Sequence, residues 1–311
     1  MVDSPDKYGA VSRAAVQARP DGSFCPAINP TMNFPEERHA SEAPRSSAKP
    51  KPPSQQGRRV FLGCDLEISR RYGTPNAGIA IYVRAKAGTL ISQTPDACDL
   101  GSVQALSPGE ALHAISQVTR DIVLGDGIPL LIACDHTASC SALLGLVSAS
   151  DELPVYVYFD AHLDLGRNCP TGDLVHNGGF VGLILQENWA EQVVNIGGRS
   201  LMARLPIPLP RGFTSLALSN EDFDSAFAFL RGKPLYVSID ADVLDLARMP
   251  DVCCPEPGGM SPESLIACCN WLARNCRVLG ADLSELLPDT GNHDGATHLV
   301  KCLLALSERA S

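Results

Sequence analysis

Short apolar runs alternate with longer segments of helical period along most of the chain, from residue 60 onward. Six of the apolar runs have the length of a buried strand and end at turn or helix signals. The predicted strands are residues 60–64, 129–134, 155–159, 193–196, 235–239 and 278–281. Strands that alternate with helices predict a mostly parallel sheet with helices on both faces, so the predicted fold class is α/β.

The segments between these strands carry apolar residues at the spacing of amphipathic helices. Several begin directly after Ser, Thr or Asn, whose side chains accept the first free N–H groups of a helix. The predicted helices are residues 108–124, 138–147, 179–188, 220–230, 262–275 and 295–306.

The first 57 residues have a different composition and no sustained periodicity. They hold nine of the 24 prolines, and Ser, Lys and Arg are frequent near their end. Such a segment cannot bury enough apolar surface to fold alone. We therefore expect residues 1–57 to be a flexible or disordered tail and residues 58–311 to form one folded domain.

Composition and charge exclude several classes of function. The chain has 311 residues, of which 45% are hydrophobic, and a formal net charge of -10. That charge and the lack of a Lys/Arg cluster argue against a nucleic-acid partner. No apolar run reaches the roughly 18 residues that span a bilayer, and the acidic start does not resemble a signal peptide. A cytoplasmic protein without a membrane partner is expected.

Acids and histidines follow three of the predicted strands. In α/β sheets, ligands bind outside the carboxyl ends of the strands, so these residues are the first candidates for chemistry. Residues two apart in an extended segment project to the same side, which predicts that each cluster converges. The candidates are His136 after the second strand, Asp160, His162 and Asp164 after the third, and Asp240 and Asp242 after the fifth. Asp245 is interpreted as the cap of a following turn.

Each cluster alone is more simply explained as a solvated acidic loop, but their coincidence favours a metal site. Four carboxylates at one sheet edge repel each other unless positive charge lies among them, and two divalent cations would balance all four. Mixed carboxylate and imidazole ligands suit Mn²⁺, Zn²⁺, Fe²⁺ or Co²⁺, and the excess of carboxylates favours Mn²⁺. Two metals about 3.5–4 Å apart activate a shared water, which predicts a hydrolase.

Two further residues fit such a site, although either could be structural. His176 precedes the flexible stretch Asn177-Gly178-Gly179 and is a candidate proton shuttle to the leaving group. Glu285 follows another strand and could pair with a cationic group of the substrate.

Several of these segments resemble the ureohydrolases, the arginase and agmatinase family. Residues 160–164 match the family motif D-A-H-x-D, and residues 238–245 resemble its S-x-D-x-D-x-x-D segment. Residues 255–260 resemble its P-x-P-G-G-L segment, and residues 282–288 resemble its D-x-x-E-x-x-P segment. Residues 135–137 resemble its D-H-S segment, and residues 195–200 its I-G-x-R-S segment. The resemblance implies a three-layer α/β/α sandwich, two Mn²⁺ ions per chain and hydrolysis of a guanidino or formimino group, usually with release of urea.

The resemblance also implies a role for each candidate residue. One metal would be held by His136, Asp160, Asp164 and Asp240, and the other by Asp160, His162, Asp240 and Asp242. Asp164 would in addition hydrogen-bond the hydroxide that bridges the metals. By the same resemblance, His176 is the histidine of a mobile loop and Glu285 meets the cationic group of the substrate. No organic cofactor is implied, and a homo-oligomer is expected because family members are commonly trimers or hexamers.

Departures from the family pattern leave the substrate open. Cys134 follows Ala133 where paired glycines are usual, and Cys253-Cys254 replaces small polar residues or glycine. The loop 165–175 lacks the Asn and Ser contacts that arginases make, so a modified or peptide-borne arginine, agmatine-like compounds and formimino compounds all stay candidates. Two alternatives also stay open: a single-zinc deacetylase of a related fold, and a non-catalytic regulatory member of the family.

Overall fold

The computed structural model describes residues 57–69, 79–166, 175–206, 208–217, 222–287 and 294–308, and the short segments 17–18 and 24–25. The chain divides into two units, Met1–Pro52 and Pro53–Ser311. In the first unit, the described residues are two antiparallel strands, Gln17–Ala18 and Phe24–Cys25. The remainder of the predicted tail up to residue 56 lies outside the described residues, so the expectation of a flexible segment stays a prediction.

One eight-stranded sheet forms the centre of the second unit. Its strands are β1 (Arg59–Cys64), β2 (Ala97–Ser102), β3 (Ile128–Ala133), β4 (Val155–Phe159), β5 (Gln192–Ile196), β6 (Phe213–Leu216), β7 (Pro234–Asp240) and β8 (Arg277–Ser284). They lie in the order β2-β1-β3-β8-β7-β4-β5-β6, and every pairing is parallel. The predicted α/β class is confirmed.

Helices cover both faces of this sheet. They are α1 (Ile79–Lys86), α2 (Gly88–Gln93), α3 (Pro108–Leu124), α4 (Ala138–Ala149), α5 (Phe180–Glu187), α6 (Leu201–Arg204), α7 (Phe223–Ala226), α8 (Pro262–Asn275) and α9 (Gly295–Leu306). The buried residues of α1, α2, α8 and α9 share one hydrophobic core and those of α3, α4 and α5 share another. The fold is therefore the expected three-layer α/β/α sandwich. None of the described helices is long and apolar enough to cross a membrane.

The alternation of side chains along β4 shows how the sheet separates the two cores. Val155, Val157 and Phe159 lie in the core shared with α8 and α9, whereas Tyr156 and Tyr158 lie in the other. All five are fully buried. Burying an aromatic or branched side chain stabilises the folded state by about 1.5–3 kcal/mol. The central strands are therefore held firmly in the core.

Predicted and observed elements differ at the edges of the sheet and in helices α1, α2 and α6, which were not predicted. The helices predicted over residues 108–124, 262–275 and 295–306 have those bounds, and the first two begin at a Ser N-cap followed by Pro. The helix predicted over 220–230 is instead α7 followed by a short 3₁₀ turn, Ala228–Leu230, since Phe227 leaves the helical path, and residues 220 and 221 lie outside the described residues. Strands β2 and β6 were not predicted because their half-exposed sequences lack an apolar run.

Candidate metal centre

Four adjacent strands in the middle of the sheet carry the candidate residues at their carboxyl ends. In spatial order, β3 leads to His136, β8 to Glu285, β7 to Asp240 and β4 to Asp160. Because parallel strands end at the same edge, clusters that are far apart in the sequence meet there. All six predicted metal ligands lie at this edge.

One group of potential ligands surrounds the His136 ring. Ligand atoms of His136, Asp160 and Asp164 all lie within 4.8 Å of one another. His136 Nδ1 is 3.2 Å from Asp160 Oδ2 and 3.5 Å from Asp164 Oδ2. Asp240 Oδ2 lies 3.1 Å from the same nitrogen. These are the four residues that the resemblance assigns to one metal.

A second group shares Asp160 with the first. Ligand atoms of Asp160, His162 and Asp242 also lie within 4.8 Å of one another. His162 Nδ1 is 2.7 Å from Asp242 Oδ2 and 3.4 Å from Asp160 Oδ1. The two oxygens of Asp160 thus face different histidines, as expected of a carboxylate that bridges two cations.

Tight turns, rather than extended backbone, bring these side chains together. Asp160 Oδ1 accepts a hydrogen bond from His162 N at 2.6 Å, and Asp240 Oδ1 accepts one from Asp242 N at 2.8 Å. After Asp240 the chain forms a 3₁₀ turn, Ala241–Val243. The predicted convergence is correct, but the predicted alternation is wrong, since each first aspartate folds the following residues back by capping their N–H groups.

Asp245, beyond this turn, has the capping role predicted for it. Its Oδ1 accepts from Ala247 N at 2.9 Å, and its Oδ2 accepts from Gly258 N and Gly259 N, both at 3.0 Å. Asp245 therefore fastens the loop after β7 to the loop that precedes α8.

Burial and mutual repulsion dominate the electrostatics of Asp164, Asp240 and Asp242, whereas burial of Asp160 is outweighed by its hydrogen bonds to His136 and His162, which lower its pKa. Burial, followed by the charge of Asp160, raises the pKa of Asp242 to about 7 and raises that of Asp164 well above its ordinary value. Burial and the charges of Asp242 and Asp160 likewise raise the pKa of Asp240. Burial opposes a charge on His136, but its contacts with Asp160, Asp164 and Asp240 outweigh this and raise its pKa. Two divalent cations would balance the four carboxylates.

Two buried polar atoms at the centre of the cluster fit a metal. Among the described residues, His136 Nδ1 and Asp160 Oδ2 are buried and have no hydrogen-bond partner. An unsatisfied buried nitrogen or carboxylate oxygen costs about 1–3 kcal/mol or more. Imidazole nitrogen and carboxylate oxygen are ligands that divalent transition metals accept. The residues present therefore fit a pair of such ions.

A buried hydrogen-bond chain supports the far side of the His136 ring. His136 Nε2 is 2.8 Å from Ser238 Oγ, which donates to Asp282 Oδ1 at 2.6 Å. Ser139 Oγ donates to the other Asp282 oxygen at 2.5 Å and lies 2.8 Å from the Tyr156 hydroxyl. With Nδ1 turned to a metal, Nε2 carries the proton and the chain fixes that tautomer.

The His162 side is supported by loops. Asn195 Nδ2 donates to the backbone oxygens of Asp160 at 3.3 Å and His162 at 3.0 Å, which holds the segment between them. Arg199 Nη2 donates to Asp242 O at 2.7 Å and Glu256 O at 2.9 Å. These two side chains tie the ends of β4 and β7 to the loop before α8.

Glu285 lies beside His136, with its backbone in the left-handed region at φ 61°. One carboxylate oxygen, Oε1, accepts from His136 N at 2.9 Å. Burial, and then the charges of Asp240 and Asp135, raise the pKa of Glu285 to about 8. The structure thus brings Glu285 to the cluster, where it contacts the main chain of a predicted metal ligand.

His176 precedes α5 and is buried. Its ring lies against the backbone of Gly179, where an added Cβ would be 2.6 Å from Nε2. Phe180, which follows Gly179, packs on the His136 ring with ring centroids 4.5 Å apart. The loop thought to choose the substrate, residues 165–175, lies outside the described residues between 167 and 174.

The sequence motifs indicated the predicted ligands but not the residues that support them. Ser238 and Asp282 lie within the quoted motif segments, and so do Asn195 and Arg199, yet none was given a role. The available signal was their position, since Ser238 stands two residues before Asp240 on the same strand and therefore on the same side.

A parallel α/β/α fold with two aspartate-histidine groups at the carboxyl edge of its sheet defines the class, an α/β protein with a candidate binuclear metal centre. A sequence model of the arginase family matches residues 61–308, about four fifths of the chain. The chain belongs to the arginase family. The family predicted from the sequence, and the hydrolase class that goes with it, are confirmed at that level.

Individual proteins show the same relationship. The chain is similar to the N(1)-aminopropylagmatine ureohydrolase of Thermococcus kodakarensis, with 26% identity over 203 residues, 63% of this chain and 67% of that protein. It is 29% identical over 174 residues to an agmatinase of Pyrococcus horikoshii, 55% of this chain and 59% of that protein. The chain thus spans about two thirds or less of these relatives.

The structure of proclavaminate amidino hydrolase from Streptomyces clavuligerus shares the fold. The TM-score is 0.67 at 22% identity, and the alignment covers 85% of this chain and 95% of that one.

Proposed function

We propose that this protein is a hydrolase that uses two Mn²⁺ ions to cleave a C–N bond of a guanidino substrate and release urea. The observation that carries the proposal is the pair of ligand groups that share Asp160, with His136 Nδ1 and Asp160 Oδ2 buried and unsatisfied between them. The excess of carboxylates over imidazoles favours Mn²⁺, although other divalent transition metals fit the same atoms.

The proposed ligands divide between the two groups. His136, Asp160, Asp164 and Asp240 would hold one ion, and Asp160, His162, Asp240 and Asp242 the other. Two such ions, when bound, supply a nucleophilic water near neutral pH. The aspartates orient that water, and Asp164, whose Oδ2 lies 3.5 Å from His136 Nδ1, is proposed to accept its hydrogen bond.

The remaining steps fall to side chains around the ions. Water adds to the guanidinium carbon, the C–N bond to the amine breaks, and urea and the amine leave. Glu285 is proposed to hold the cationic guanidinium, since its carboxylate is already fixed beside His136. His176 is proposed to deliver the proton that the departing amine requires.

A guanidino amine is the favoured substrate class. Two relatives, with 26% and 29% identity, are named for an aminopropyl derivative of agmatine and for agmatine, which supports an agmatine-like compound. Relatives of similar identity are named a guanidino acid hydrolase and a formimidoylglutamase, so these substrates stay candidates. A formimino compound and a modified or peptide-borne arginine are the other candidates. A cytoplasmic location and a homo-oligomeric state stay predictions.

Release of urea from guanidines tests the proposal. Protein loaded with Mn²⁺ is incubated with a panel of guanidino and formimino compounds, and urea, ammonia and formamide are measured. We expect urea from at least one guanidine, at a rate that falls to background after chelation. Metal-loaded, folded protein that releases none of the three products from the whole panel would contradict the proposed activity and favour the non-catalytic alternative.

A further inference from the structure

Among the described residues, the cluster is exposed to solvent on the side of His162. The side chains of His136, Asp160, Asp240, Asp242 and Asp164 are 9% exposed or less, and that of Asp160 is 1% exposed.

His162 differs from these five, with 29% of its side chain exposed. This exposed side is called the opening of the cluster, because among the described residues it is where a substrate could reach the ions.

Glu256 lies at that opening. Its side chain is also 29% exposed, and its Oε1 is 3.8 Å from His162 Nε2. This distance is too long for a hydrogen bond but short enough for an electrostatic interaction, which solvent weakens because both side chains are partly exposed. The Glu256 carboxylate thus faces both the outer edge of the ligand ring and the solvent.

The backbone of Glu256 is held in place, which limits how far its carboxylate can move from the opening. Arg199 donates to Glu256 O at 2.9 Å and to Pro257 O at 3.2 Å. The following Gly258 and Gly259 donate to Asp245, both at 3.0 Å. Prolines on both sides of Glu256 restrict the backbone further. An anchored charge of this kind can discriminate between ligands.

Charge balance indicates what this carboxylate would bind. Two divalent cations would balance the four aspartate ligands, and hydrogen bonds from three backbone N–H groups stabilise the charge of Asp245. Glu285 and Glu256 remain at the cleft. A guanidinium supplies one positive charge, so a substrate with a second cation at its far end would satisfy both glutamates.

We propose that Glu256 is a specificity-determining residue that favours guanidino substrates with an ammonium group at the far end and disfavours those with a carboxylate there. The inference rests on the proposed function, because it assumes that the guanidine binds over the ions. It goes beyond that function in naming the residue that selects the substrate and the charge that it selects.

Three guanidines with the same four-carbon chain test this inference. They are 4-aminobutylguanidine, butylguanidine and 4-guanidinobutyrate, and kcat/KM for urea release is measured for each. In the wild-type protein we expect the ammonium compound to be the best and the carboxylate compound the worst. In Glu256→Gln the preference for the ammonium over the neutral compound should fall about tenfold, one unit of log kcat/KM, because loss of the charge removes the attraction.

Matched variants separate this role from a general one. Glu191→Gln removes a carboxylate that pairs with Lys233 at the opposite edge of the sheet and should leave all three values unchanged. Glu256→Asp keeps the charge and should retain part of the preference. Metal content is measured for every variant, so that a change in loading is not mistaken for a change in specificity.

The outcomes are distinct. An equal loss of kcat/KM for all three compounds in Glu256→Gln would mean that Glu256 only positions His162, and unchanged ratios would also overturn the proposal. If the wild-type protein releases no urea at all, the proposed function fails. Calorimetric binding of the same compounds to the Mn²⁺-loaded protein then decides. If the wild-type protein binds the ammonium compound most tightly and the carboxylate compound most weakly, and Glu256→Gln loses this order, the selective role is still supported. Equal affinity for all three compounds would reject it.

Discussion

The two histidines of the candidate metal centre have opposite surroundings. His136 is fully buried, and Ser238 and Asp282 fix its far nitrogen inside the core. His162 is 29% exposed, and its far nitrogen faces Glu256, a residue of a loop, at 3.8 Å. His136 is therefore held by residues of the sheet and its core, whereas His162 lies at the opening of the site.

This difference separates the binding of metal from the choice of substrate. The His136 side depends on strands β7 and β8 and on helix α4, whose residues cannot move without disturbing the core. The His162 side depends on loops that Asn195, Arg199 and Asp245 tie together, and loops tolerate change more readily than a packed sheet. We infer that the buried side maintains the chemistry and that the open side determines which molecule enters.

Substitution of Asp160 should have the largest effect on metal content and activity, since this residue belongs to both ligand groups. Asp160→Asn removes the charge that faces both histidines, so we expect the metal content to fall from two equivalents to one or none. Activity should fall by about a thousandfold or more, because the nucleophile depends on both ions. Elemental analysis and urea release measure the two effects. Asp121→Asn, on the exposed surface of α3, is the control and should change neither.

Substitutions in the buried hydrogen-bond chain behind His136 should have the next largest effect, on metal affinity. Asp282→Asn keeps the shape of the side chain but breaks the chain from Ser139 through Ser238 to His136. Residues that orient metal ligands change metal affinity by about 10- to 100-fold. Titration with Mn²⁺ should show this loss, and Ser238→Ala should show a similar one. An affinity within threefold of the wild type in both variants would contradict the role assigned to the buried side.

A substitution of Arg199 tests whether this residue holds the loops of the open side, because its loss should lower the stability of the fold. Lysine in its place cannot reach the separate carbonyls of Asp242 and Glu256 with a rigid fork of donors. We expect Arg199→Lys to lower the free energy of unfolding by about 1–3 kcal/mol, since each lost hydrogen bond contributes about 0.5–1.5 kcal/mol. Urea denaturation measures this, with the exposed Arg211→Lys as control. A loss no larger than that of the control would mean that Arg199 does not hold the loops.

Glu256 should have the smallest effect on metal binding. It is partly exposed and beyond hydrogen-bond distance of His162, so Glu256→Gln should change the affinity for Mn²⁺ by less than about threefold. The same titration as for Asp282→Asn gives the value. A loss as large as that of Asp282→Asn would remove the distinction between the two sides.

Local signals explain how much of the fold could be predicted. Ser and Pro at the start of α3 and α8 gave the first residue of each helix, and the apolar runs gave the six central strands. Strands β2 and β6 could not be found, because an edge strand exposes one side and its sequence need not be apolar. The order of the strands also depends on contacts that no local pattern contains.

The convergence of the proposed metal ligands could be predicted because chemistry restricts their residue types, and their order resembles that of a known family. Their support is harder to predict. Asp282 is an ordinary aspartate at the end of a strand until its neighbours Ser139 and Ser238 are known, and these are 143 and 44 residues away in the sequence. Glu256 is likewise unremarkable in the sequence, because its role depends on which ligand is exposed.

Counting the metals bound to the wild-type protein tests the central claim most directly. The protein is stripped with a chelator, reloaded with Mn²⁺, freed of excess metal and assayed by elemental analysis with a matched protein concentration. We predict two equivalents of Mn²⁺ per chain in the wild type and one or none in Asp160→Asn. One tightly held zinc that Mn²⁺ does not replace, or fewer than about one equivalent of any transition metal in the folded wild-type protein, would contradict the binuclear centre.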